Sequence, residues 1–131
     1  MIRGTAQPFK FTIPCNFNEL QTVSITFWQE NYNGPDTTRP LPIIKVLSQC
    51  RQGSSSNELV VILNKEETLR FTDKRKAHVQ IMAEVVGGLP FGSKPNMITV
   101  YPAYDDLILD GDIVPTPDPD GVVILDGSTI I

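Results

Sequence analysis

Eleven prolines divide this chain of 131 residues into short segments. Proline lacks a backbone N–H donor and fixes φ, so it interrupts helices and is confined to the edges or ends of strands. The stretches between prolines are too short for long helices but long enough for strands and turns. The spacing therefore predicts an all-β protein.

Apolar and polar residues alternate through several of these stretches, which is the pattern of strands with one buried face. A continuous apolar run at 59–63 is typical of a central strand. We count about six strands up to Tyr101, at the turn spacing of a β-sandwich. The alternating apolar sets are Phe9, Phe11 and Ile13; Val23, Ile25 and Phe27; and Val79, Ile81, Ala83 and Val85.

Two local signals connect these strands. Asn64 precedes Lys65, Glu66 and Glu67, and an Asn cap followed by acidic residues predicts one helical turn. The glycine-rich stretch 87–93 predicts a loop that joins strand 79–85 to strand 97–101 as an antiparallel hairpin. The compact domain is expected to end near Ala103, which gives a β-sandwich domain over residues 1–104.

The last 27 residues, 105–131, have a different character and are predicted to form an extended C-terminal β-arm. Two apolar pieces, 107–114 and 122–131, flank a stretch in which Pro115, Pro117 and Pro119 favour an extended path. In one alternative the pieces pair with each other or pack against their own domain as the last strands of its sheet. In the other, part of the tail adds a strand to a neighbouring subunit. Both alternatives stay open, beside simple disorder of the tail. The predicted partner contacts are Leu107, Leu109, Ile113, Val123, Leu125 and Ile130.

The sequence contains little that could perform catalysis. His78 is the only histidine, and Cys15 and Cys50 have no ligand spacing for zinc, so they are expected to be buried free thiols. The acidic residues near 110–121 lack the spacing of an EF-hand loop. We therefore predict no enzyme activity, no catalytic residues, no metal and no cofactor.

Charge and hydropathy limit the partners. With a net charge of −4 the chain lacks the basic surface that nucleic acids require. No apolar run is long enough to span a membrane, and no stretch near Met1 resembles a signal peptide. We expect synthesis in the cytoplasm and no nucleic-acid or membrane partner.

The opening Met1-Ile2-Arg3-Gly4-Thr5, followed by Pro8 and the Phe-x-Phe-x-Ile-Pro pattern of 9–14, resembles a group of small structural proteins of phages and prophages of gut Firmicutes. The resemblance extends through Val79-Gln80-Ile81 and Ile98-Thr99-Val100 to about residue 104, whereas the 105–131 extension is additional. It implies an Ig-like antiparallel β-sandwich that acts as a virion component.

The sequence thus leads to the hypothesis of a structural protein of a tailed phage, located in the virion. Capsid decoration, head-fibre or neck attachment, and a tail or baseplate adaptor are equally compatible with it. The expected partners are other virion proteins and copies of the chain itself. The alternative is a carbohydrate- or ligand-binding β-sandwich module of an adhesin-like assembly, in which exposed aromatics such as Trp28 and Tyr104 stack on sugar rings.

Overall fold

The chain folds into two β-sheets that face each other across one hydrophobic core. The structure is a computed structural model, and it describes residues 1–35, 38, 40–88 and 90–103 together with the backbone of Val123–Asp126. The prediction of an all-β protein is confirmed, and the two layers have a sandwich-like arrangement. The strands are β1 (Gln7–Thr12), β2 (Leu20–Trp28), β3 (Ile43–Val46), β4 (Cys50–Gln52), β5 (Glu58–Leu63), β6 (Ala77–Val85), β7 (Pro90–Gly92), β8 (Asn96–Ile98) and β9 (Val123–Asp126).

The first sheet has the strand order β4-β5-β1-β9, and the second has the order β3-β2-β6-β7, with β8 also paired to β6. The pairing of β1 with β9 is parallel, and every other strand pair in these sheets is antiparallel. Consecutive strands cross between the sheets after β1, β3, β5 and β8. Within the described part of the chain, no helix has the length and apolar character needed to cross a membrane.

The alternation in the sequence predicts the inward faces correctly. Phe9 and Phe11 of β1 are fully buried, and Phe27 of β2 meets Phe9 with ring centroids 5.0 Å apart at 56°. This tilted contact joins the two sheets through a favourable aromatic geometry. The large core residues of the described chain lie between Met1 and Val100.

The predicted helical turn is confirmed as α1 (Lys65–Thr68), which connects β5 to β6. Asn64 Oδ1 accepts a hydrogen bond from the Glu67 N–H at 2.8 Å, and Glu67 Oε1 accepts one from the Asn64 N–H at 2.9 Å. This reciprocal pair is a capping box, which satisfies two N–H groups that a helix start leaves unpaired.

Two predicted segments differ in detail. The stretch 90–92, expected within a loop, forms β7, because Phe91 is apolar enough to be buried beside Ala83 of β6. The segment 43–50 is broken into β3, a 3-10 turn at Leu47–Gln49 and the start of β4. The turn moves the chain from the second sheet to the first.

Lys45 is a charged residue on the inward face of the second sheet. Lys45 of β3 is 8% exposed, and its Nζ lies 2.7 Å from Oε2 and 2.9 Å from Oε1 of Glu67. Removing one partner of a buried ion pair leaves a buried charge without compensation. The pair therefore ties β3 to α1 across 22 residues of sequence.

We predict that Glu67→Ala lowers the free energy of unfolding by about 3 kcal/mol, because it leaves the Lys45 ammonium buried without a carboxylate. Denaturant unfolding followed by circular dichroism measures the loss. The matched control is Arg70→Ala, which removes the more exposed Glu66–Arg70 pair on the same turn and should cost about 0.5 kcal/mol or less. Equal losses in the two variants would contradict this account of the buried pair.

Candidate strand-addition site

Strand β1 is the centre of the candidate site because it is paired on both sides by strands from distant parts of the chain. On one side β5 runs antiparallel, with Gln7 opposite Leu63 and Thr12 opposite Glu58. On the other side β9 runs parallel, with Phe9 opposite Val123 and Thr12 opposite Asp126. The edge of β1 that faces away from β5 therefore receives a strand from beyond residue 122.

The buried side chains of β1 hold the strand in place, so the position of its outer backbone edge is fixed. Phe9 and Phe11 are held in the core, while Thr12 is exposed at the end of the strand. A core strand whose outer N–H and C=O groups lack partners is a template for pairing with another strand. In the structure β9 supplies that pairing over four residues.

The six predicted contact residues fall into two groups. Val123 and Leu125 belong to β9, opposite Phe9 and Phe11 of the same chain. The structure thus places this piece of the arm on its own domain, which is one of the two alternatives that the sequence left open. Contact with a partner stays a prediction, and Leu107, Leu109, Ile113 and Ile130 lie outside the described residues.

The connection that leads to β9 is longer than closure on the same domain requires. Tyr101 forms a parallel bridge with Ile2, and Val123 lies opposite Phe9. The chain from Ile2 to Phe9 spans at most about 25 Å, and two strand spacings of about 5 Å raise the distance to be closed to about 35 Å. Fully extended, residues 102–122 could reach about 70 Å. The extra length of this connection is sufficient to reach a neighbouring domain.

The N-terminal motif lies on its own domain. The Arg3 Nε donates to the Phe71 carbonyl at 2.7 Å, and the Gly4 N–H donates to Thr68 Oγ1 at 2.9 Å. Gly4 has φ = +82°, a conformation that favours glycine and turns the chain into β1. Met1 is 2% exposed within the core. The motif therefore positions the start of β1.

Among the described residues, those that could take part in catalysis or metal binding are not grouped into a site. His78 stacks on Trp28 across β2 and β6, with ring centroids 5.3 Å apart at 16°. Burial raises the pKa of the Cys50 thiol to about 11, so it is mostly protonated at neutral pH and a poor nucleophile. Among the described residues, no three His, Cys, Asp or Glu side chains are grouped as they would be to hold a metal ion.

Comparisons with protein-family models, curated proteins and solved structures found no match for this chain. The edge of β1 is the feature that sequence reasoning missed. A period of two identifies the buried face of a strand but contains no information about which strand lies beside it.

We predict that deleting residues 123–131 accelerates amide hydrogen exchange in β1, because the deletion removes the strand that covers its outer edge. Only the alternate N–H groups that face β9 should respond, since the others are bonded to β5. Hydrogen exchange read by NMR measures each amide. The amides of β2 and β6, in the opposite sheet, are the internal control, and unchanged exchange throughout β1 would contradict the pairing.

Proposed function

We propose that this chain is a structural protein of a tailed-phage virion that assembles by strand addition at the edge of β1. The observation that carries the proposal is the parallel pairing of β9 with that edge. Strand addition obtains affinity from backbone hydrogen bonds and specificity from side chains at alternate positions. Such a site needs no catalytic group, and among the described residues no three His, Cys, Asp or Glu side chains are grouped to hold a metal ion.

The strand order supports an Ig-like reading of the two sheets. In Ig domains strands A, B, E and D form one sheet, and strands C and F with their neighbours form the other. With β1 in the place of strand B, the order β4-β5-β1-β9 corresponds to D-E-B-A. The order β3-β2-β6-β7 then corresponds to C′-C-F-G. The place of strand A is thus taken by β9, which comes from beyond residue 122 and runs parallel to β1.

This arrangement suits a particle component. A sandwich whose edge place is filled by a remote strand can be completed by its own chain or by a neighbour's chain. When many copies are present together, weak contacts of this kind are strengthened by multivalency. The assignment to a virion follows the resemblance of the N-terminal motif, and it covers capsid, neck and tail positions alike.

We predict that a chain ending at Tyr104 remains folded but is lost from phage particles, because it retains the core residues up to Val100 and lacks the arm. Circular dichroism and thermal unfolding measure folding. Mass spectrometry of purified particles, produced with the full-length or the truncated gene, measures incorporation.

Two results would overturn the proposal. The first is equal incorporation of the truncated and full-length chains. The second is the absence of the full-length protein from the particles. An unfolded truncated chain would show that the arm belongs to the domain itself, in which case substitution of Leu125 by Asp in the full-length chain tests assembly without shortening the chain.

A second candidate function, glycan binding, is favoured by a shallow groove at the end of β2. The groove has a volume of about 240 Å³, and its walls include Trp28, Tyr32 and Asn33. Gln29 fixes the turn beneath it, since its side-chain amide bonds to the backbone of Thr72 and Arg75 at 2.8–2.9 Å. Aromatic faces beside amide groups are suited to stacking on a sugar ring. Tyr104 lies outside the described residues.

For this candidate we predict glycan-array signals that Trp28→Ala abolishes, because the substitution removes the largest aromatic face of the groove. The matched control is His78→Ala, which removes the stacking partner of Trp28 but no wall of the groove. Arrays without signal for the native protein, or signals that Trp28→Ala leaves intact, would exclude the groove as a glycan site.

A further inference from the structure

We propose that the strand donor is a second copy of this chain, so that β9 covers the β1 edge of its own domain in the free protein and the edge of a neighbouring copy in the assembly. This inference rests on the proposed function and names the partner at that same site. It requires no surface beyond those already in contact within one chain.

The pairing of β9 with β1 within one chain shows how the donor strand would fit the acceptor edge. The register Phe9–Val123 to Thr12–Asp126 pairs all four residues of β9 with four of the six residues of β1. Because every copy carries the same two strands, exchange between copies conserves each of these contacts. The balance between closed and exchanged forms then depends on the connecting segment and on protein concentration.

The connecting segment permits both forms. It can reach about 70 Å when extended, against about 35 Å for closure on the same domain. A folded domain of about 100 residues has a radius of gyration of about 13 Å, so the surplus reaches the corresponding edge of an adjacent copy. Tethered strands have effective concentrations in the millimolar range. The free protein is therefore closed at micromolar concentration and exchanges where copies are crowded, as on a particle.

The distribution of charge favours contact of an arm with a domain over contact between two arms. Residues 104–131 contain seven Asp and no Lys or Arg. Since the whole chain has a net charge of −4, residues 1–103 carry +3. Two arms repel each other, whereas an arm and the domain of another copy attract. These charges thus favour the binding of β9 to the β1 edge of a domain, and they disfavour the association of arms with one another.

Single cysteines on opposite strands provide the test. In a background in which Cys15 and Cys50 are replaced by Ala, one protein carries Thr12→Cys and a second carries Asp126→Cys. These positions are register partners, and the Cα separation of paired strands is within the range of a disulfide. The two proteins are mixed at about 10 μM and at about 1 mM under mild oxidation and analysed by non-reducing gel and mass spectrometry.

We expect a mixed dimer joined through positions 12 and 126, with a yield that rises several-fold between the two concentrations. The matched control replaces Thr12→Cys with Thr22→Cys, an exposed position on β2 of the opposite sheet, and should give only background dimer. A yield no higher than this control would overturn the exchange between copies.

A third protein, with both Thr12→Cys and Asp126→Cys, separates this inference from the proposed function. If it closes into a disulfide-bonded monomer while the mixture gives no dimer, β9 pairs only within its own chain, and the second copy is excluded as donor. If it forms no 12–126 disulfide, either within one chain or between two chains, β1 does not pair with β9. The proposed strand-addition site is then excluded as well.

Discussion

The buried position of β1 in the domain determines where the other strands of its sheet can pair with it. The strand cannot move outward, because Phe9 and Phe11 are fully buried between the two sheets. Its N–H and C=O groups on the side away from β5 must therefore find partners in place. The chain meets this requirement with β9, which follows the domain by about 20 residues and pairs parallel with β1.

The polar side chains that are buried in the described domain find their partners within it. Among the described residues, no buried side-chain nitrogen or oxygen lacks a hydrogen bond. The Lys45–Glu67 pair and the amide of Gln29 each join elements that are far apart in sequence. Core residues of the described chain come from positions 1–100. Residues 1–100 build the described part of the core, and β9 adds a strand at the edge of β1.

Much of the fold could be predicted from local patterns. Alternation identifies the buried faces of β1, β2 and β6, because a strand with one face in the core must place apolar residues at every second position. The start of α1 was predictable since Asn64 and Glu67 stand at capping-box spacing. Other features depend on tertiary contacts. Lys45 is polar and yet faces inward, because Glu67, remote in sequence, compensates its charge. The pairing of β9 with β1 could not be predicted for the same reason. The sequence of 123–126 indicates a strand without indicating its partner.

NMR of uniformly labelled protein can detect backbone proton contacts between residues 9–12 and 123–126. If β9 pairs with β1, nuclear Overhauser effects are expected between Phe9 and Val123 and between Phe11 and Leu125, in the pattern of parallel strands. In samples mixed from labelled and unlabelled chains at high concentration, part of the same signals should arise between molecules. A spectrum that contains the β1–β5 contacts without any contact between β1 and residues 123–126 would show that β9 does not pair with β1.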